Sequence, residues 1–304
     1  MQSQRPLRIL TLLARHGIER HANALSDVRA LFATRMPDVA HQVLVIDNSL
    51  PPGHTSTLAS DVELIGSDNL AWEFSAWDQG ISHCSAQLEQ FDFINLVTSA
   101  FKALDHAFLD CFSRRMLGLV REMPTAVGHI DCFNSEVVCF GTPSQSWLRS
   151  SFIVLPPSQL RLLKSVTTVI DRSAIFSGDP AMPFRDDAPL SPAFRGYIVG
   201  WLTGDGTGQG VEWHSRFSLD AGTLKLFEDK TLATINEHML TQRLRALGCT
   251  IVDATWLARQ TQLPSRDGIL RTLPEWQDQI TIGRGRTAWP RRLLASVRIS
   301  DLWR

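Results

Sequence analysis

The run from Ile235 to Gly248, INEHMLTQRLRALG, sets a carboxylate and an imidazole side by side at Glu237 and His238. Either can take a proton from a hydroxyl: a glutamate is ready once ionised, and a histidine titrates near neutral pH. The same glutamate also fits a plainer role, a first-turn carboxylate favoured by the helix dipole. A second set of candidates lies where apolar runs give way to polar residues. These are Asp47, Asn48 and Ser49 after HQVLVI, Asp68 and Asn69 after DVELIG, Thr98 and Ser99 after FDFINLV, and Asp131 in TAVGHIDCF. In open α/β sheets ligands bind beyond the carboxyl ends of strands, which makes these the positions to watch. For Asp47 the alternative is a turn, since DNSLPPG is built from turn-forming residues.

The elements that must carry these residues alternate strand and helix, the pattern of an α/β fold with a largely parallel sheet. RILTLLA from Arg8 reads as a buried strand, and NALSDVRALFATRM has helical spacing and a stop at Pro37. HQVLVIDNS, DVELIGSDN and FDFINLVTSAF follow as strands, with a helix in AWEFSAWDQGISHCSAQLEQF. The spacing predicts a helix from about His106 to Glu122, a strand around TAVGHIDCF, and a buried segment, WLRSSFIVL, that turns into a helix at Pro157. Ile170 to Pro192 reads as a loop, and the glycines at 204, 206, 208 and 210 as a mobile connection. The helix holding Glu237 comes next, then CTIVDATWLA as strand and exit. Trp72 and Trp77, with Phe74 between them, cannot form one helical stripe and are expected in the core rather than as a ligand-stacking platform, while Trp213-His214 fits either an aromatic on which a ligand stacks or a surface loop.

Composition narrows the classes. The chain of 304 residues is 44% hydrophobic and 20% charged, globular rather than disordered or fibrous. Five scattered cysteines contain no CxxC pair, which points to core packing in a reducing cytoplasm. The N-terminal apolar stretch is too short and too charged for a spanning helix, and it is read as a first strand rather than a signal peptide. Net charge is -1, yet residues 282–304 hold six arginines against Asp301. This basic extension, with Trp289 and Trp303, is expected either to lie on an anionic membrane surface or to form a solvated C-terminal helix or an arm packed on the acidic body; nucleic acid is not the expected partner. GDGTGQG has the wrong glycine spacing and position for a dinucleotide fingerprint, so an epimerase or reductase is disfavoured. No HExxH and no G-x-S-x-G is present.

Taken in order, VLVIDNS (43–49), SDNLAWEFSAWDQGI (67–81) and FDFINLVTSAF (91–101) resemble the nucleotide-sugar half of GT-A glycosyltransferases. The variant with Asn69, Glu73, Phe74, Trp77 and Gly80 looks most like the rhamnan-synthesis F type of bacterial polysaccharide transferase, and WLRSSFIVL (147–155) is similar to a segment of that family. NEHMLTQRLRALGCTIV (236–252) looks like the element of inverting enzymes that carries the base. The resemblance covers roughly 7–255. It implies a GT-A-like, Rossmann-type sheet flanked by helices in one domain, 1–255. On this resemblance residues 1–105 would form the nucleotide-sugar half and 125–255 the acceptor half, followed by the extension 256–304.

The resemblance further implies that Asp47, Asn48, Ser49, Asn69, Glu73, Thr98 and Ser99 face a nucleotide-sugar donor, with Asp47 at the base or ribose. The acceptor would be a cell-surface polysaccharide or a lipid-linked glycan, worked on from the cytoplasm, at the inner face of the membrane where the extension binds it. Two departures matter. The family's acidic metal motif falls on Thr98-Ser99-Ala100, with no carboxylate for Mg²⁺ or Mn²⁺, so no metal ligand is assigned and basic side chains or helix amides are expected to meet the diphosphate. The family's base position is His238, which leaves the base open between Glu237 and His238. A non-catalytic relative that binds a nucleotide sugar or a partner enzyme is the alternative that the missing carboxylates keep open.

Overall fold

The computed structural model describes residues 5–103, 106–204, 216–262 and 273–285. β1 (Arg8–Arg15) is buried at every interior position, as a strand covered on both faces must be. α1 (Ala24–Arg35) buries Val28, Leu31 and Phe32 and ends before Pro37; β2 (Ala40–Asp47) then returns to the sheet. A short edge strand, β3 (Thr55–Ala59), pairs antiparallel with β4 (Val62–Gly66). TSTLA is too polar to announce itself as a strand, so this pairing was not expected. α2 (Glu73–His83) occupies the first half of its expected span and leads to β5 (Phe93–Thr98).

The helix expected from His106 to Glu122 is broken. A 3-10 turn, Ala107–Cys111, precedes α3 (Arg114–Val120), and Ser113 restarts the helix by accepting a hydrogen bond from Met116 N at 3.2 Å. β6 (Thr125–Cys139) and β7 (Thr142–Leu155) form one long hairpin. Its two-residue turn has φ of 49° at Phe140 and 71° at Gly141, the doubly positive pattern that suits the strand twist. A phenylalanine seldom takes that conformation, so the sequence hid the hairpin. Asp131 consequently lies inside β6, opposite Trp147, rather than at a strand end.

The remaining elements are α4 (Pro157–Leu163), α5 (Pro192–Thr203), α6 (Leu224–Ala246), β8 (Thr250–Asp253), α7 (Ala254–Gln260) and α8 (Trp276–Arg284). Among the described residues one eight-stranded sheet runs in the order β3-β4-β2-β1-β5-β7-β6-β8. β4, β2, β1 and β5 are mutually parallel, and β8 is parallel to β6; β7 runs antiparallel to both β5 and β6. The fold is thus α/β with a mixed sheet flanked by helices, and its parallel half is compatible with a Rossmann-like fold.

Three apolar cores follow from this layout. On one face Leu13, Val43 and Val45 pack with Val28, Met116 and Trp256; on the other Leu12, Leu44 and Ile46 pack near Trp77, Leu240 and Ile280. A third gathers Phe133, Trp147, Phe194, Phe227 and Ile235 between the far part of the hairpin, α5 and the first half of α6. Among the described residues no helix is long and apolar enough to cross a membrane.

Candidate functional site

The parallel strands end together at one rim, with Arg15, Asp47 and Gly66 side by side in register and Thr98 opposite Ala14. The chain leaves β1 towards β2 on one side and later fills the other side with β5, so the strand order reverses beside β1. Crevices at such reversals receive ligands in α/β sheets.

Asp47 lies at this rim, 2% exposed, and its oxygens are fully engaged. One accepts Arg15 Nε at 2.7 Å; the other accepts Gly17 N at 2.9 Å, Ser49 N at 2.9 Å and Ser49 Oγ at 2.7 Å. Burial alone would raise its pKa, but the Ser49, Gly17 and Arg15 hydrogen bonds together hold it below the usual carboxylate value. Asp47 and Ser49 therefore make the turn that the sequence also allowed. Asn48 is directed differently: its Nδ2 donates to Trp72 O at 3.1 Å, and its Oδ1 is buried with no partner among the described residues.

That bond ties β2 to the loop that opens α2. Asp68 Oδ1 accepts Leu70 N at 3.0 Å, and Asn69 and Trp72 both take left-handed backbone, with φ of 55° and 53°. Asparagine tolerates that region far better than tryptophan, so the strain sits at Trp72, directly before Glu73. α2 then runs close against β2: a Cβ on Gly80 would stand 3.0 Å from Ile46 Cδ1, which explains the glycine of the motif. Trp77 is fully buried and donates its indole N–H to Leu12 O at 3.1 Å, whereas Trp72 is partly exposed and lies beneath Lys230, whose Nζ is 4.1 Å from the ring centroid. The core expectation holds for Trp77 and not for Trp72.

Ser150 is the junction of the site. β7 places Phe152 opposite Val97, so Ser150 and Ser151 come to the same edge as Thr98 and Ser99. Ser150 N donates to Glu237 Oε1 from one side, and Ser150 Oγ donates to Glu73 Oε1 at 3.2 Å from the other. Glu237 stands thirteen residues into α6, which rules out the first-turn role. Burial pushes its pKa up to about 7, opposed by the Ser150 hydrogen bonds and Arg149 and reinforced by the charge of Glu73. Glu73, the first residue of α2, is also raised by burial, against its own amide, Lys230 and Ser150. Lys230 is pushed down to about 8 by burial and by Arg20, with Glu73 opposing. Two carboxylates that share a serine, beside an ammonium of lowered pKa, form a group able to hold and move a proton near neutral pH.

His238 is not part of this group. It is fully buried, its ring stacked 5.1 Å from Phe133 and tilted against Trp147 at 4.1 Å, with Ser144 Oγ 3.1 Å from its Nδ1. Burial drives its pKa down to about 3. One step along a helix turns the side chain by about 100°, so the neighbour of a rim carboxylate faces the third core, and His238 is not presented at the rim. Asn236, one step the other way, is a fully buried clamp: its Oδ1 accepts Thr168 N at 2.7 Å and Val169 N at 2.9 Å, and its Nδ2 donates to Val169 O at 2.9 Å.

Thr98 and Ser99 sit at the rim, partly exposed, with Ser99 N donating to Ala14 O at 2.9 Å. Among the described residues no three His, Cys, Asp or Glu side chains are grouped to hold a metal ion. Of the basic extension, Arg284 is turned inward: it pairs with the fully buried Asp253 and donates to Ile130 O at 2.8 Å. Trp213, His214, the glycines at 206, 208 and 210, and residues 286–304 lie outside the described residues.

Sequence reasoning had singled out Glu73 and Glu237 but neither Ser150 nor Lys230. Lys230 and Glu237 are seven residues apart, two turns on one helix face, a spacing that becomes a signal only once α6 is known to start at Leu224. Against known proteins, no family model matches the sequence and no curated protein matches it significantly.

Proposed function

We propose that the protein is a glycosyltransferase that moves a sugar from a nucleotide-sugar donor to a glycan acceptor, with inversion and with Glu237 as the base. The supporting observation is the carboxylate pair Glu73 and Glu237 joined through Ser150 at the rim where β2 and β5 end. In that reaction the acceptor oxygen attacks the anomeric carbon as the bond to the nucleotide phosphate breaks, and the electron pair leaves on the phosphate oxygen. The acceptor proton passes to Glu237, whose pKa of about 7 leaves it basic enough to accept the proton and ionised in part at neutral pH. Asn48 Oδ1, buried and unpartnered among the described residues, offers an acceptor to an N–H or O–H of the nucleoside. The acceptor class this reading carries is a bacterial surface polysaccharide or its lipid-linked precursor, met at the inner face of the cytoplasmic membrane.

A second reading, a non-catalytic nucleotide-sugar binder, draws on the engagement of both Asp47 oxygens by the protein itself and on the lack of carboxylates at Thr98 and Ser99. Thermal-shift measurements with UDP-, GDP-, dTDP- and CMP-sugars, followed by transfer assays with each that binds, separate the two. Binding with transfer that Glu237→Gln removes supports the enzyme; binding with no transfer supports the second reading; no binding sinks both.

A further inference from the structure

We propose that Lys230 is the cation that meets the donor's diphosphate in this site, an inference that rests on the glycosyltransferase reading. The position of the ammonium is what carries it. Lys230 and Glu237 lie on one face of α6, two turns apart, which separates their backbones by about 10.5 Å along the axis. An in-line displacement sets the base and the leaving phosphate on opposite sides of the anomeric carbon. The hydrogen bond to the base, the attacking and breaking bonds, and a phosphate-to-ammonium contact span on the order of 10 Å. A base at Glu237 and a cation at Lys230, two turns apart on one helix face, can flank one reacting centre.

The ammonium is also held in place. Its Nζ lies 4.1 Å from the ring centroid of Trp72, the residue directly before α2. Trp72 is in turn bonded through its carbonyl to Asn48 at the end of β2, so the lysine is referenced to the strand end where the nucleoside is expected. Glu73 balances the lysine in the unliganded site, and Arg20, from the segment after β1, adds a second positive charge facing it. Burial depresses the Lys230 pKa to about 8, the response of an ammonium taken out of water. When diphosphate arrives, Glu73, itself raised by burial, can take up a proton instead of repelling it. In its protonated form the lysine donates hydrogen bonds to the oxygen that receives the leaving electron pair.

The test compares nucleoside diphosphates (UDP, GDP, dTDP, CDP) with the matching monophosphates by calorimetry, on wild type and on Lys230→Met, Lys230→Gln and Lys230→Arg. Wild type should prefer the diphosphate. The two neutral variants should weaken diphosphate binding by about 10- to 100-fold and leave monophosphate binding unchanged, as for loss of one charge-assisted contact. Lys230→Arg should keep most of the preference. If Lys230→Met does not fold, judged by its thermal melt, Lys230→Gln carries the same comparison. Equal binding of di- and monophosphate by wild type, or an undiminished preference in a folded neutral variant, overturns the inference while transfer dependent on Glu237 leaves the enzyme reading standing. Failure of wild type to bind any nucleotide removes both.

Discussion

Glu237→Gln should raise stability while it removes transfer, and the pH dependence of the gain is its signature. The amide has the shape of the carboxylate and keeps an oxygen that can accept Ser150 N, so only the charge is withdrawn. Glu237 is raised from an ordinary 4.5 to about 7 in the folded chain, chiefly by burial. Below pH 4.5 the residue is protonated folded or unfolded and costs nothing. As pH rises from 4.5 through 7 the unfolded chain has released the proton and the folded chain resists doing so, which erodes stability until the group ionises in both states. A full shift of that size corresponds to about 3 kcal/mol, and partial contact with solvent reduces it to about 1–2 kcal/mol. The variant should therefore match wild type near pH 4.5 and exceed it by about 1–2 kcal/mol at pH 8, a rise of a few degrees in Tm. Urea titrations at the two pH values measure this. At pH 8 sugar transfer should fall by about 10²- to 10⁴-fold. A variant no more stable than wild type at pH 8 would refute the claim that the carboxylate is held in a costly environment. Retained transfer would refute its role as base. The gain in stability on loss of function is expected where a site is built at the expense of the fold.

The neighbouring residues should respond in the opposite sense. His238→Met should leave transfer intact, and because the folded chain holds His238 near 3 rather than 6.5, wild type should lose stability as pH falls below 6.5 while the variant loses less; equilibrium denaturation at pH 7 and 4.5 reads this. Asn236→Ala strips the hydrogen bonds that clamp Thr168 and Val169 and should cost about 3 kcal/mol in urea unfolding at any pH near neutral, with the monophosphate affinity of the folded fraction unchanged. Arg284→Met leaves the fully buried Asp253 without its cationic partner and should cost about 3–5 kcal/mol, lowering the thermal midpoint far more than Arg29→Met at the exposed pair with Asp61.

Much of the parallel half could be read along the chain, because its information is local. RILTLLA and HQVLVID are dominated by apolar residues, and such runs have few homes other than a strand covered on both faces, as the burial of positions 9–14 and 43–47 shows. Polar residues following those runs marked the rim, and Pro37 and Pro157 marked a helix end and a helix start. The hairpin of β6 and β7 escaped because its turn rests on Phe140 in a conformation that local preference disfavours, which only the pairing of the two strands enforces. The helix from Leu224 to Ala246 has no apolar stripe of its own, since its halves pack in different cores, so the sequence could not say where it begins or which of two adjacent residues faces the rim.

The order of candidate residues, the α/β alternation and the absence of carboxylates at Thr98 and Ser99 are properties of the sequence by itself. Tertiary structure decided the rest: that Asp47 spends its oxygens on Arg15, Gly17 and Ser49, that His238 is an aromatic-boxed core residue, and that Glu73 and Glu237, distant in the chain, meet on Ser150. Chemical competence at the rim depends on burial and on which charges face one another. Both are set by the packing of α2, α6 and β7, elements whose contacts no local pattern encodes.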